Sequence, residues 1–149
     1  MSAVVHIKEN GISYAVDEFT EIYDTNALID AIKYRYPKNY IYIYPDASGQ
    51  ARKTVGADVT DIRLLQKAGF KIKVGKSNPR VKERVNEINR MLRNGKYFVN
   101  LSKCKNYVDA LEQLSYKGGV PDKASGLDHI FDAGTYYVVR QSNKIVSMR

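Results

Sequence analysis

The run Asp128-His129-Ile130-Phe131-Asp132 holds two carboxylates and an imidazole, inside a longer stretch, Ser125 to Gly134, that leads into apolar and aromatic residues. In a helix, Asp128 and Asp132 lie four apart on one face and His129 lies three before Asp132, so these groups can approach one divalent cation. Carboxylate oxygens suit magnesium or manganese, and a single imidazole leans toward manganese. Asp128 also has a simpler reading, because Ser125-x-x-Asp128 has capping-box spacing and an acid suits a helix's first turn. Capping does not account for His129 and Asp132. A further acid, Asp46, follows the strand-like run Tyr40-Ile41-Tyr42-Ile43-Tyr44 in Tyr44-Pro45-Asp46-Ala47-Ser48-Gly49. The carboxyl end of a strand is where α/β sheets carry their sites, although Pro-Asp-Ala-Ser-Gly is also ordinary turn chemistry.

The elements that must position these groups follow from periodicity and punctuation. Residues 3–8 alternate, with Ala3, Val5 and Ile7 on one side and Val4, His6 and Lys8 on the other, which predicts a strand with His6 on its less apolar face. Asn10-Gly11 is a hairpin signal, so a second strand follows over 12–22. A helix is expected over 25–36, capped by Thr25, with Leu28, Ile29, Ile32 and Tyr36 inward and Pro37 as the stop. Residues 40–44 read as a core strand. Thr60 caps a helix on Ile62, Leu64 and Leu65 that Gly69 ends, and 70–74 is a short strand. Pro79 opens a helix to about Arg93, with Val81, Val85, Ile88, Met91 and Leu92 inward. Asn94-Gly95 turns the chain into a strand at 97–99. A helix over about 106–114, a loop over 117–126 and a last helix over 128–139 complete the order. This succession predicts an α/β fold with a mixed sheet flanked by helices.

With 149 residues the prior is one domain. No apolar run is long enough to span a membrane, and the start lacks a secretory pattern. Cys104 is the only cysteine, which excludes an internal disulfide and fits a reducing cytoplasm. The net charge of +8 is concentrated: residues 51–106 carry 15 basic and 4 acidic side chains. Such a basic middle, between sections that carry the acidic motifs, fits a polyanion held against a metal site. Arg52, Lys53, Lys76, Arg80, Lys82 and Arg84 are the expected phosphate contacts, with a plain solubilising face as the alternative. The run from Gly69 to Ser77 imitates a phosphate-binding Gly-x-x-x-x-Gly-Lys-Ser loop. Its spacing is one residue too long and its interior reads as a strand, so nucleotide binding is rejected. The chain has twelve tyrosines, and strand packing explains Tyr40, Tyr42 and Tyr44 more simply than base stacking does.

In order along the chain, the "YPDASG" strand end, "LLQKAGFKIKV", "KSNPRVKERVNEIN" and "DHIFDAG" resemble the nuclease domain of phage terminase large subunits. The resemblance implies a ribonuclease-H-like mixed sheet and a divalent-metal-dependent endonuclease that cuts viral DNA during genome packaging. It implies Asp46, Asp132 and His129 as catalytic residues, and Asp46, Asp128, His129 and Asp132 as ligands of two Mg2+ or Mn2+ ions, with Asp46 and Asp132 serving the same ions. It further implies double-stranded DNA, a terminase ATPase domain, a small terminase subunit and a portal as partners, in the host cytoplasm and away from membranes. The family's first strand carries another aspartate, in a Gly-x-Asp-Phe-like setting. Residues 1–5 look like the second strand instead, and Asp17 and Glu18 match no ligand position. The expectation is therefore a domain without that strand and without the ATPase domain, with weak metal affinity. The gap would be closed within the chain or by a strand of a second copy. The rival expectations are a catalytically impaired nucleic-acid-binding or assembly fragment, and a junction resolvase of the same fold.

Overall fold

A computed structural model describes residues 1–50, 60–113, 116–117, 120–121 and 126–146. The chain divides into two compact units, one formed by Met1 with Glu21–Asn78 and the other by Ser2–Thr20 with Pro79–Arg149. Among the described residues no helix is long and apolar enough to cross a membrane.

The second unit holds a mixed three-stranded sheet. β1 (Ala3–Glu9) and β2 (Ile12–Phe19) form an antiparallel hairpin, and β5 (Tyr97–Val99) lies parallel to β2 on its other side. Asn10 and Gly11 both take positive φ, 51° and 77°, which a two-residue turn of the type that matches strand twist requires. A bulge between Val5 and His6 breaks the alternation that the sequence suggests. α3 (Val81–Arg93), α4 (Lys105–Gln113) and the long α5 (Asp128–Val146) complete the unit, and α5 packs on α3, α4 and β1. The core is Ala15, Phe19, Ile88, Met91, Tyr97, Tyr107 and the inward residues of α5, Ile130, Phe131, Tyr136, Tyr137 and Val138. α5 runs seven residues past the Val139 end expected from the sequence, and Leu92, expected inward, is exposed. Within the expected loop, Tyr116–Lys117 (β6) pairs antiparallel with Val120–Pro121 (β7).

In the first unit, α1 (Thr25–Arg35) packs on α2 (Asp61–Lys67), and β3 (Tyr42–Ile43) pairs parallel with β4 (Lys71–Ile72). Its core is Leu28, Ile29 and Ile32 of α1 with Ile62, Leu65 and Phe70. Thr25 is not the cap of α1. Asp24 is, in extended geometry, with its carboxylate accepting from the Ala27 amide at 2.8 Å. Thr25 is buried instead and donates to Asp61 Oδ1 at 2.7 Å, which ties the two helices. Thr60 caps α2 as expected, and Gly69 leaves it at φ 95°. The strand expected over 40–44 shrinks to two residues, and its tyrosines are not core: Tyr40 is 69% and Tyr42 49% exposed.

One support could not be read from local sequence. Glu18 of β2 accepts from the Asn106 amide (3.0 Å) and side-chain Nδ2 (2.7 Å) and from the Tyr107 amide (2.9 Å). It therefore caps the amino end of α4 from 88 residues away. A carboxylate there satisfies orphan amides and meets the positive end of the helix dipole. Glu18→Ala is expected to cost about 1–2 kcal/mol in urea unfolding, with Glu18→Gln in between. Equal stability of all three chains would show that α4 needs no cap.

Candidate metal centre

α5 opens at Asp128, directly after Gly126, which holds φ 68°, and Leu127. Successive helical residues point about 100° apart, and burial follows that rotation: Asp128 is buried, His129 exposed and Asp132 half-buried. Asp128 lies in the first turn of α5, where a carboxylate suits the helix dipole. His129 and Asp132, three apart, present an imidazole and a carboxylate along one edge of the helix.

Asp132 is held in place by Arg84 of α3. The guanidinium Nη1 donates to Asp132 Oδ1 at 2.6 Å and to Thr135 Oγ1 at 3.0 Å, while Nε donates to the Pro79 carbonyl at 3.2 Å. Thr135 in turn donates its hydroxyl proton to the Phe131 carbonyl at 2.7 Å. The Arg84 guanidinium carbon lies 4.8 Å from the Tyr136 ring centre and 5.8 Å from that of Phe131, in cation–π range. This corrects the reading of Arg84 as a phosphate contact. At 3% exposure, with its nitrogens committed inside the unit, it is an internal anchor for the Asp132 carboxylate.

In the first unit, Asp46 is exposed at the start of a 3-10 turn over Ala47–Gln50. Its Oδ1 accepts from the Ser48 amide and from Asn78 Nδ2, each at 2.7 Å, while Asn78 Oδ1 accepts from the Ala47 amide at 2.7 Å. The turn reading of Asp46 is therefore correct, and the same bonds fix the direction of its carboxylate. Lys76, Arg80 and Lys82 are exposed, Arg80 at the amino end of α3, where its amide donates to Glu83 Oε2 at 3.3 Å. Arg52 and Lys53 lie outside the described residues.

Among the described residues no group of three or more His, Cys, Asp or Glu side chains is gathered to hold an ion. Within the second unit the donor chemistry fits a hard divalent cation: the Asp132 carboxylate is oriented by a hydrogen bond from behind, as ligating carboxylates usually are, and His129 adds one exposed imidazole. Cys104 has no part in it, since burial, with the Glu18 and Asp17 charges adding to it, pushes its thiol up to about 11.

The other histidine has a different setting, one that strand alternation hid. The bulge beside it turns His6 into the core, where its ring stacks on Tyr137 at 4.3 Å between centroids. His6 Nε2 meets the Tyr97 hydroxyl at 2.6 Å, and that hydroxyl meets the Tyr107 hydroxyl at 2.9 Å. Burial pushes the imidazole down from 6.5 to about 3, against a smaller upward pull from its hydrogen bond to the Val4 backbone. The folded ring is neutral, whereas the unfolded ring takes a proton below about pH 6.5. Stability from this depression is therefore whole above pH 6.5 and drains as pH falls toward 3. His6→Phe, which keeps the stack, is expected to flatten the fall of urea midpoints across that window. A variant whose midpoints fall in parallel with the parent would show that His6 is not the titrating group.

The family model for the terminase RNaseH-like domain matches residues 1–140. No curated protein and no solved structure matches the chain at a significant level.

Proposed function

Because this chain belongs to the terminase RNaseH-like domain family, we propose that it is a divalent-metal-dependent endonuclease domain that hydrolyses the DNA backbone during viral genome packaging. The observation that carries the reading is the anchored Asp132 carboxylate beside exposed His129 on α5. Asp46, His129 and Asp132 would hold Mg2+ or Mn2+, with Asp128 supporting the helix start. Bound in pairs, such ions activate a water and neutralise charge on the scissile phosphate.

The chain's own residues do the positioning. Arg84, itself held by Thr135, fixes the Asp132 carboxylate, and Asn78 with the Ser48 amide fixes that of Asp46. Exposed Lys76, Arg80 and Lys82 hold phosphates without reading sequence. The domain would work with an ATPase domain, a small terminase subunit and a portal, in the host cytoplasm. Supercoiled plasmid incubated with the chain tests this. Slow conversion to the nicked form with Mn2+, and none with chelator, is the expected result. Duplex binding without nicking would favour the nucleic-acid-binding fragment, and a strong preference for branched DNA would favour a junction resolvase.

A further inference from the structure

The most exposed part of the β3–β4 pair is aromatic and cationic, and folding does not account for it. Tyr42 is the register partner of Lys71, and in a parallel pair such neighbours share a face. Tyr40 and Lys73 lie just outside these strands, and both meet the Tyr42 ring. The geometry agrees: the Tyr40 and Tyr42 rings meet edge to face at 5.3 Å, and Lys73 Nζ stands 5.1 Å over the Tyr42 ring. Tyrosines left 69% and 49% exposed add little core burial. Their rings instead offer open π faces at a fixed spacing, on a backbone held by Lys71 N–Ile41 O (3.0 Å) and Lys73 N–Ile43 O (2.8 Å) bonds.

The sequence that carries this face is basic. Residues 31–45, which carry the two tyrosines, include three basic side chains and no carboxylate; residues 62–78, which carry the two lysines, include five basic side chains and no carboxylate. A polyanion with flat, unpaired faces would find both cations and open rings here. Duplex DNA hides its base faces in the stack, so only unpaired nucleotides can use the rings.

We propose that the Tyr40–Tyr42–Lys71–Lys73 face is a binding platform for single-stranded DNA, whose bases stack on the tyrosines while the lysines hold the phosphates. The proposal builds on the nucleic-acid reading of the domain but does not require cleavage, so it is tested in chelator, where no nicking occurs.

The test is fluorescence anisotropy of a labelled oligothymidylate and of a labelled duplex against the full chain. Tyr40→Ala and Tyr42→Ala are each expected to weaken the oligothymidylate about five- to a hundredfold, the range for losing one stacked base. The salt dependence should stay unchanged, as should duplex affinity. Tyr40→Phe and Tyr42→Phe keep the ring and should bind like the parent. Lys71→Gln with Lys73→Gln should lower the logarithmic salt slope by about 0.7 for each phosphate no longer neutralised. Because Tyr40, Tyr42 and Lys71 are exposed, thermal melts of the two tyrosine variants should match the parent. The proposal is overturned if the alanine variants bind the oligothymidylate as the parent does, or if the phenylalanine variants lose as much as the alanine ones. It is equally overturned if duplex affinity falls in step with single-strand affinity, or if the alanine variants abolish self-association while leaving DNA binding intact. A failure of plasmid nicking would count against the endonuclease reading alone.

Discussion

Asp132→Ala is expected to destabilise the second unit by about 3 kcal/mol, the low end for breaking a buried ion pair. The asymmetry of the pair decides which deletion hurts more. Arg84 is 3% exposed and would keep its charge largely buried once its carboxylate is gone, whereas the Asp132 side chain is 34% exposed and can hydrate. Arg84→Met, which refills the volume, should therefore cost less, about 2 kcal/mol, mostly from missing hydrogen bonds and cation–π attraction. The double variant should cost well below the sum of the singles, because the second change removes the charge that the first left stranded. Urea unfolding of the four chains closes the cycle. Additive losses, or an Arg84→Met cost exceeding that of Asp132→Ala, would mean that the anchor is not the buried pair.

Gly134→Ala should be as damaging, through sterics. A methyl at Gly134 of α5 would lie against Cε2 and Cζ of Tyr107 and 2.7 Å from its hydroxyl. Tyr107 is wholly buried on α4 and bonded through that hydroxyl to Tyr97, so its ring cannot swing away. The expected cost is about 3 kcal/mol, the top of the usual overpacking range, despite alanine's better helix propensity. Tyr107→Leu removes the clashing ring end, and Gly134→Ala placed on that background should be close to neutral. A Gly134→Ala chain that melts with the parent would show that α4 and α5 pack less closely than described.

What the sequence disclosed and what it withheld divide along contact range. Asn10-Gly11, Thr60, Gly69, Asn94-Gly95 and Pro37 each impose local backbone chemistry, and each marks an element boundary where its residue type predicts. Asp24 and Thr25 are both competent caps in adjacent positions. Only the tertiary contact from Thr25 to Asp61 decides between them, so that boundary slipped by one. Periodicity found α3 but could not tell that Arg84 faces inward, because its partners Asp132 and Thr135 lie 48 and 51 residues away. The same limit hid Glu18 as the cap of α4 and His6 as a core residue, the latter because a bulge reversed the strand's alternation. Tyr40 and Tyr42 misled in the opposite sense: a strand's composition says that one face can be covered, not that anything covers it. At the candidate centre, residue types identified His129 and Asp132 as possible donors, while the division of labour between buried Asp128 and exposed His129 needed the helix phase.

Asp132 is thus a poor position for testing metal binding alone, since its loss also strands Arg84. Asp46 is a better one: asparagine keeps an Oδ1 that can accept from the Ser48 amide and Asn78 Nδ2, so the turn survives while the ligand loses its charge. Calorimetric titration of Mn2+ into the parent and into Asp46→Asn therefore bears most directly on the proposed centre. The expected result is a weak but saturable Mn2+ site in the parent, lost in Asp46→Asn with the thermal melt of the metal-free chain unchanged. Equal Mn2+ affinity in the two chains would contradict the assignment of Asp46 to the metal centre.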